Sequence, residues 1–503
     1  MALADPSTLS IPTTQRRGGL ADGLVASIPP AALLLTLVGM VLHLAGDEKA
    51  MFLIVAGMPL TACTLPLLWR RFRQLDMWTF AIISIGIGYT LTLFYVYQGN
   101  PSEKVINDFF LLGESPVYFL YPTVLVSAGL TMMSLGYVAS SGKQMSGAAN
   151  LGVLQVRRRR LYFVTGLFAL FSLISFVLFV QGTGGFNLSS LSAKRTTISS
   201  VDVGNDSLRT FGELRYLSSL GVVGYLFLLA ALLSKGRKLR RGEIALAVTF
   251  LMVNLLLPFY SSSRSDTLVP ILATVVMLAR YGRKMNWRSV LPPAIALLLI
   301  FNTMTDLRSD DSLDTGSVLG LSVLSDFVDN AAISRNFADF SKTSHLIQRV
   351  PEDLGWRYGS TIAAYVVAPI PRAVWPGKPL ISAGPIIGQK IYKQRRAFGL
   401  STSGIPPGFF GEMYWNFGSA GILLGSPLLG VALGLASRWS KTRQDIRAQV
   451  FYGGGLFSTI SGFLAVGVGF ALLELFTTWV GVQIIYYLLG RPSIGREQLS
   501  GSL

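Results

Sequence analysis

Runs of roughly twenty residues with almost no charge recur along this chain, and they leave it few ways to fold. Each is long enough to cross a hydrocarbon core of roughly 30 Å as a helix. Inside lipid every backbone polar group must find its partner within the protein, so a spanning segment is a helix or part of a closed barrel. Barrel strands are short and alternate polar with apolar residues; these runs are long and apolar on all faces, so helices are expected. Composition agrees: the chain has 503 residues, 51% hydrophobic and only 14% charged. A soluble chain of that size needs more charge to stay in solution. The expected fold class is an all-α polytopic membrane protein.

The apolar runs predict about twelve transmembrane helices, at 24–45, 50–69, 77–97, 117–139, 161–181, 213–234, 244–262, 265–280, 290–306, 413–437, 450–471 and 474–490. Arg16 and Arg17 precede the first run, as in a twin-arginine export signal. That run is too long for a signal core, so it reads as a retained first helix. Orientation follows from Lys and Arg in short loops. The basic groups at 70–73, 157–160, 235–241, 280–288 and 438–447 fall in alternate loops. All lie on one side with both termini, and that side is the cytoplasm. By this reading the cytoplasmic segments hold about 25 of the 43 basic residues.

The chain then divides into an N-terminal bundle of about nine helices at 1–306, a large outer loop at 307–412, and about three closing helices at 413–503. The loop is too long for a mere connection. Within 318–349, Leu319, Val323, Leu324, Phe327, Val328, Ala331 and Ile333 recur at helical spacing among Asp326, Asp329 and Arg335. One or two amphipathic helices lying at the membrane surface are expected there. The part at 368–411 is crowded with Pro and Gly and reads as irregular packed loop. No internal repeat is evident, which disfavours a transporter built from repeated halves.

Two motifs in this loop carry most of the chemistry. In IPRAVWPGKP at 370–379 three prolines stiffen the backbone while Arg372 and Lys378 supply cations. Such a pair suits a phosphate, Arg by its fork and Lys as a point charge; it equally suits lipid headgroups or nearby carboxylates. In PPGFFGEMYWNFG at 406–418, Glu412 stands at the mouth of a span. A partly desolvated carboxylate there is a stronger base; alternatively it only complements a helix N-terminus. Tyr414 and Asn416 are placed to hydrogen-bond sugar hydroxyls. Gly421, Gly425, Gly430 and Gly434 have the spacing of close helix packing.

Further cations flank the outer helix ends. Arg264, in SSSRSD at 261–266, sits in a tight turn and calls for an anionic partner, Asp266 or a ligand. Lys194 and Arg195 face the same cavity or are solvated. Lys390, Lys393, Arg395 and Arg396 form a basic patch that attracts a polyanionic lipid head or is simply wet. Cys63 is the sole cysteine, so there is no intrachain disulfide or cysteine metal site. His43 reads as a core residue of the first helix, and His345 lies in the loop without evident metal partners. No metal site and no cofactor are expected. Phosphate-binding glycine loops and Ser/His/Asp hydrolase signatures are absent from the sequence. ATP-driven transport by this chain alone is therefore disfavoured.

Taken with the layout of spans, the SRSD run at 263–266, the PRxxWPxKP run at 371–379 and GExYxNFG at 411–418 resemble the Wzy-type O-antigen and exopolysaccharide repeat-unit polymerases. The motif resemblance is strongest over residues 360–430. It departs in one respect, because the Arg-x10-Gly pattern of some members is missing from the outer loops. What the resemblance implies is a glycosyltransferase of GT-C-like fold in the bacterial inner membrane, its large loop periplasmic. It would transfer a growing glycan from undecaprenyl diphosphate to the non-reducing end of a lipid-linked repeat unit, without a metal. Arg264, Arg372 and Lys378, with Arg195, would hold the diphosphate; Glu412 would be the base and Tyr414 and Asn416 would orient sugar. The partners would be undecaprenyl-diphosphate-linked oligosaccharides, the bilayer, a chain-length-regulating co-polymerase and a flippase, with no nucleic acid. An O-antigen ligase shares the topology and donor. A flippase is the contrasting class; it needs charge at mid-membrane depth, whereas charges here gather at helix ends and in the loop.

Overall fold

The computed structural model describes residues 20–69, 77–97, 116–142, 153–155, 157–182, 211–234, 239–260, 264–281, 338–368, 370, 374–375, 377–378, 381, 383–391, 405–442, 445–490 and 493–495. Apolar runs become helices as expected. The first half holds α1 (Leu20–Leu44), α2 (Met51–Thr64), α3 (Met77–Ile85), α4 (Thr92–Tyr97), α5 (Leu120–Ser140), α6 (Arg158–Gly182), α7 (Phe211–Leu233), α8 (Arg241–Tyr260) and α9 (Arg264–Arg280). A π-helical stretch, Gly86–Leu91, joins α3 to α4. The second half holds α10 (Phe340–Arg349), α11 (Ser360–Ala363), α12 (Gly384–Lys390), α13 (Gly408–Thr442), α14 (Ile446–Phe451), α15 (Phe457–Ala465) and α16 (Val468–Leu488). Among the described residues a short ribbon joins the helices, in which β1 (Val153–Gln155) pairs antiparallel with β2 (Ser493–Gly495), Leu154 opposite Ile494.

Among the described residues seven helices are long and apolar enough to cross a membrane, and three shorter apolar helices accompany them at Trp78–Phe94, Leu220–Leu233 and Val269–Leu278. The chain is thus multi-pass. The expected span at 290–306 lies outside the described residues. The expected span at 450–471 is divided by a π-turn, Tyr452–Leu456, between α14 and α15.

Three apolar clusters hold the described helices together, the smallest joining Leu346, Ile387 and Trp415 of α10, α12 and α13. Of the two larger, one gathers Trp78, Tyr89, Phe119, Leu130, Phe410 and Phe463 from α3, the π-stretch, α5, α13 and α15. The other gathers Phe168, Leu226, Met277 and Ile485 from α6, α7, α9 and α16. Contact between α5 and α13 is extensive because small residues meet: a methyl at Gly430 or Gly434 would strike the backbone carbonyl of Met133 or the Ser140 hydroxyl. Gly421 and Gly425 face Met413 of their own helix instead. Arg160 Nε donates to the Leu488 carbonyl (2.7 Å) beside the ribbon, and Gly142 abuts Arg438.

Three expectations need correction. The residues 319–335 that carry the expectation of surface helices lie outside the described residues, and the described end of that segment, α10, is not a surface helix: Phe340 to Ile347 are all buried. Several of its polar groups find partners inside, while the buried Ser344 hydroxyl has no hydrogen-bond partner among the described residues. Asp339 caps the helix and pairs with Lys342 (2.9 Å), and His345 lies between the Tyr118 and Phe119 rings, 5.8 Å from each. The Pro/Gly-rich part contains the short helix α12, which starts at Gly384-Pro385 because proline is tolerated in a first helical turn. His43 is half-buried in the last turn of α1 rather than in its core, with Nδ1 3.4 Å from the Asp47 carbonyl.

Candidate functional site

The segment carrying Glu412 begins after Pro406-Pro407 and runs as α13. Thirty-three apolar-rich residues, Gly408–Ser440, would stretch to roughly 50 Å at 1.5 Å per residue, well beyond the hydrocarbon core. The surplus is taken up by a break. Gly418 has φ 66° and ψ −157°, a conformation open to glycine, so the first ten residues form a separate arm. Glu412 and Asn416 are four apart and share one face of that arm.

That face is tied to two distant segments. Glu412, only 2% exposed, accepts a hydrogen bond at Oε1 from Thr361 Oγ1 (2.9 Å). Its Oε2 accepts from the Val468 backbone N–H, and the Gly469 N–H also donates to the carboxylate. Val468 and Gly469 open α16, whose own N-cap, Gly467, offers no side chain. Glu412 therefore caps a second helix across space, satisfying orphan donors where a negative charge is favoured. Asn416 completes the node. Its Nδ2 donates to Thr361 Oγ1 (2.7 Å) and to the Glu412 carbonyl (2.8 Å), while Oδ1 accepts from the Gly359 N–H (2.7 Å). Replacing Asn416 by Asp sets an acceptor against the Glu412 carbonyl, and should cost about 2–4 kcal/mol, read as a lower melting temperature of the solubilised protein.

A cleft opens beside Glu412, lined by Tyr365, Pro406, Pro407, Val466, Gly467 and Phe470. In this state it has room for about one water molecule. A carboxylate has about four lone-pair sites, and three donors occupy Glu412, which leaves one for a proton arriving from the cleft.

Of the other residues singled out in the sequence, Tyr414 points elsewhere: its hydroxyl meets Tyr121 and its ring lies 5.9 Å from Trp356. A two-residue offset rotates it about 200° from the Glu412 face. Lys378 is buried, with Nζ donating to the carbonyls of Ala368 (2.7 Å) and Ile370 (2.8 Å), so it clamps the turn after α11. Arg264 is the first residue of α9. Arg195, Arg372, Arg395 and Arg396 lie outside the described residues.

The structure also adds residues that spacing did not single out. Thr361 is the hub between Glu412 and Asn416. Arg357 lies over the buried Trp415 ring, 5.0 Å from its centroid. The local signal was present in Trp356-Arg357-Tyr358, a cation between two aromatic residues.

No curated protein and no solved structure matches this chain. The family described as O-antigen polysaccharide polymerase Wzy matches residues 124–461, from within α5 to within α15, and so includes Thr361, Glu412 and Asn416. That stretch is more than half of the sequence, and the chain belongs to the O-antigen polysaccharide polymerase Wzy family.

Proposed function

We propose that this polymerase moves a growing glycan from undecaprenyl diphosphate to the non-reducing end of a lipid-linked repeat unit, at the periplasmic face of the bacterial inner membrane. The observation that carries the reading is the family match across 124–461. The acceptor hydroxyl oxygen attacks the anomeric carbon of the donor sugar. A new glycosidic C–O bond forms, the C–O bond to the diphosphate breaks, and undecaprenyl diphosphate leaves with the bonding pair. Glu412 takes the hydroxyl proton through its remaining lone pair. Arg264, Arg372 and Arg195 offset the charge that grows on the leaving diphosphate. Arg395 and Arg396 attract the polyanionic lipid head. Lys378 serves by holding its loop in place, with its charge directed at backbone carbonyls. Asn416 fixes Thr361 and Glu412 in register, while Tyr414, on the opposite face of the arm with its hydroxyl on Tyr121, has no part in the step at Glu412.

The proposed architecture is GT-C-like with about twelve spans, both termini cytoplasmic and the large loop outside. A flippase that delivers repeat units and a co-polymerase that sets chain length are the proposed partners. Purified protein given lipid-linked repeat units alone should build a ladder of longer glycans, with EDTA present and no nucleotide added. Activity abolished by EDTA and restored by a divalent ion would remove the metal-independent mechanism. No ladder from competent substrate would remove the reaction itself.

A further inference from the structure

Arg357 has an environment that its packing does not complete. Residues 355–359 wrap the arm of α13 and are pinned to it at three points. Trp415 Nε1 donates to the Gly355 carbonyl (2.9 Å), the Arg357 N–H donates to the Trp415 carbonyl (3.0 Å), and Gly359 N–H donates to Asn416. This fixes the backbone on both sides of Arg357. Its guanidinium is then laid on the Trp415 ring, within cation–π range. Stacking hides Nε from solvent, and Nε has no hydrogen-bond partner. Among the described residues the guanidinium makes neither a hydrogen bond nor an ion pair. The nearby Asp353 is engaged by Arg349 (3.1 Å). A half-buried arginine held rigid, with its donors unused, is short of an anion.

The neighbouring residue strengthens this. Tyr358 stands at φ 47°, which is costly for a bulky side chain. The residue is nonetheless 79% exposed, so no burial offsets that cost. Gly359 follows at φ 84° and leads into Thr361, the partner of Glu412. The strained turn thus presents a cation and an exposed aromatic ring on the segment that also orders the Glu412 node.

We propose that Arg357 is a binding residue for the diphosphate of a prenyl-linked sugar, gripping phosphate oxygens through its free guanidinium edge while Trp415 holds its plane. This rests on the lipid-linked donor proposed above, and its test reads binding rather than polymerisation. Full-length protein in zwitterionic nanodiscs is titrated calorimetrically with farnesyl diphosphate, and with farnesol as the uncharged control. Arg357→Met, which keeps an apolar chain on Trp415, should weaken farnesyl diphosphate about tenfold or more and leave farnesol unchanged. Arg357→Lys, keeping the charge without the fork, should fall between. Equal diphosphate affinity in all three proteins, or parallel loss of farnesol, would overturn the assignment. So would glycerol phosphate displacing farnesyl diphosphate at equal concentration, which assigns the site to phospholipid headgroups. Should Arg357→Met fail to fold, Arg357→Lys decides: several-fold weaker diphosphate binding supports the site, and unchanged binding refutes it. Wild-type protein that binds the diphosphate but extends no chain would refute the reaction and leave this site standing.

Discussion

Glu412→Gln is expected to leave the protein folded and to lower chain extension about 100-fold, the usual contribution of a positioned general base. The two halves of that expectation rest on different atoms. Folding depends on the carboxylate as an acceptor for Thr361, Val468 and Gly469. A glutamine whose carbonyl oxygen faces the start of α16 keeps the backbone bonds, and its amide then faces Thr361. Thr361 already accepts from Asn416, so its hydroxyl must turn away, at a cost of about 1–2 kcal/mol. Proton transfer depends on the free lone pair on a charged group, which an amide does not supply. Glu412→Ala differs in kind. It strands three buried donors and should cost about 3–5 kcal/mol, enough to lose most folded protein. Thermal melting and a polymerisation assay on the same preparations separate the effects. Wild-type chain lengths from a folded Glu412→Gln protein would make Glu412 a cap for α16 and nothing more.

How far the sequence led depends on how local each determinant is. Lipid imposes one requirement on every crossing, so the seven long spans among the described residues were legible from apolar runs; the run expected at 161–181 is α6, Arg158–Gly182. The close approach at Gly430 and Gly434 was legible for the same reason, since small residues at helical spacing have few other uses in a span. Glu412 was legible as a group worth attention, but its partners were not. Thr361 and Val468 lie 51 and 56 residues away, and nothing in local spacing joins them. Tyr414 was paired with Asn416 by proximity in sequence, whereas helical geometry sends the two to different faces. The burial of α10 was not legible, because the rings that cover it, Tyr89, Phe119 and Tyr118, sit in other parts of the chain.

That buried position of α10 has a second large consequence, at Gly88. The π-stretch after α3 presents its backbone directly to the start of the α10 segment. Ser84 Oγ accepts from the Ala338 N–H (3.0 Å), and Tyr89 OH reaches Thr343 Oγ1 (3.4 Å). Between these contacts a methyl at Gly88 would fall on the Ala338 carbonyl. Both sides of that clash are backbone, so no side chain can rotate to relieve it. Gly88→Ala should therefore cost about 3 kcal/mol and lift α10 from its seat. The lift can be read directly. Ser344 is fully buried, its hydroxyl has no hydrogen-bond partner among the described residues, and cysteine there is nearly isosteric. On a Cys63→Ser background, Ser344→Cys should resist an impermeant maleimide, and adding Gly88→Ala should make it react. Reaction in both proteins would return α10 to the membrane surface; protection in both, with equal melting, would show that Gly88 is not the seat. The effect should reach catalysis as well. Thr343 and Leu346 of α10 pack against Gly408 and Gly411 of the arm that carries Glu412. A displaced α10 removes the floor beneath that arm, and chain extension should fall even though Gly88 touches no part of the Glu412 node.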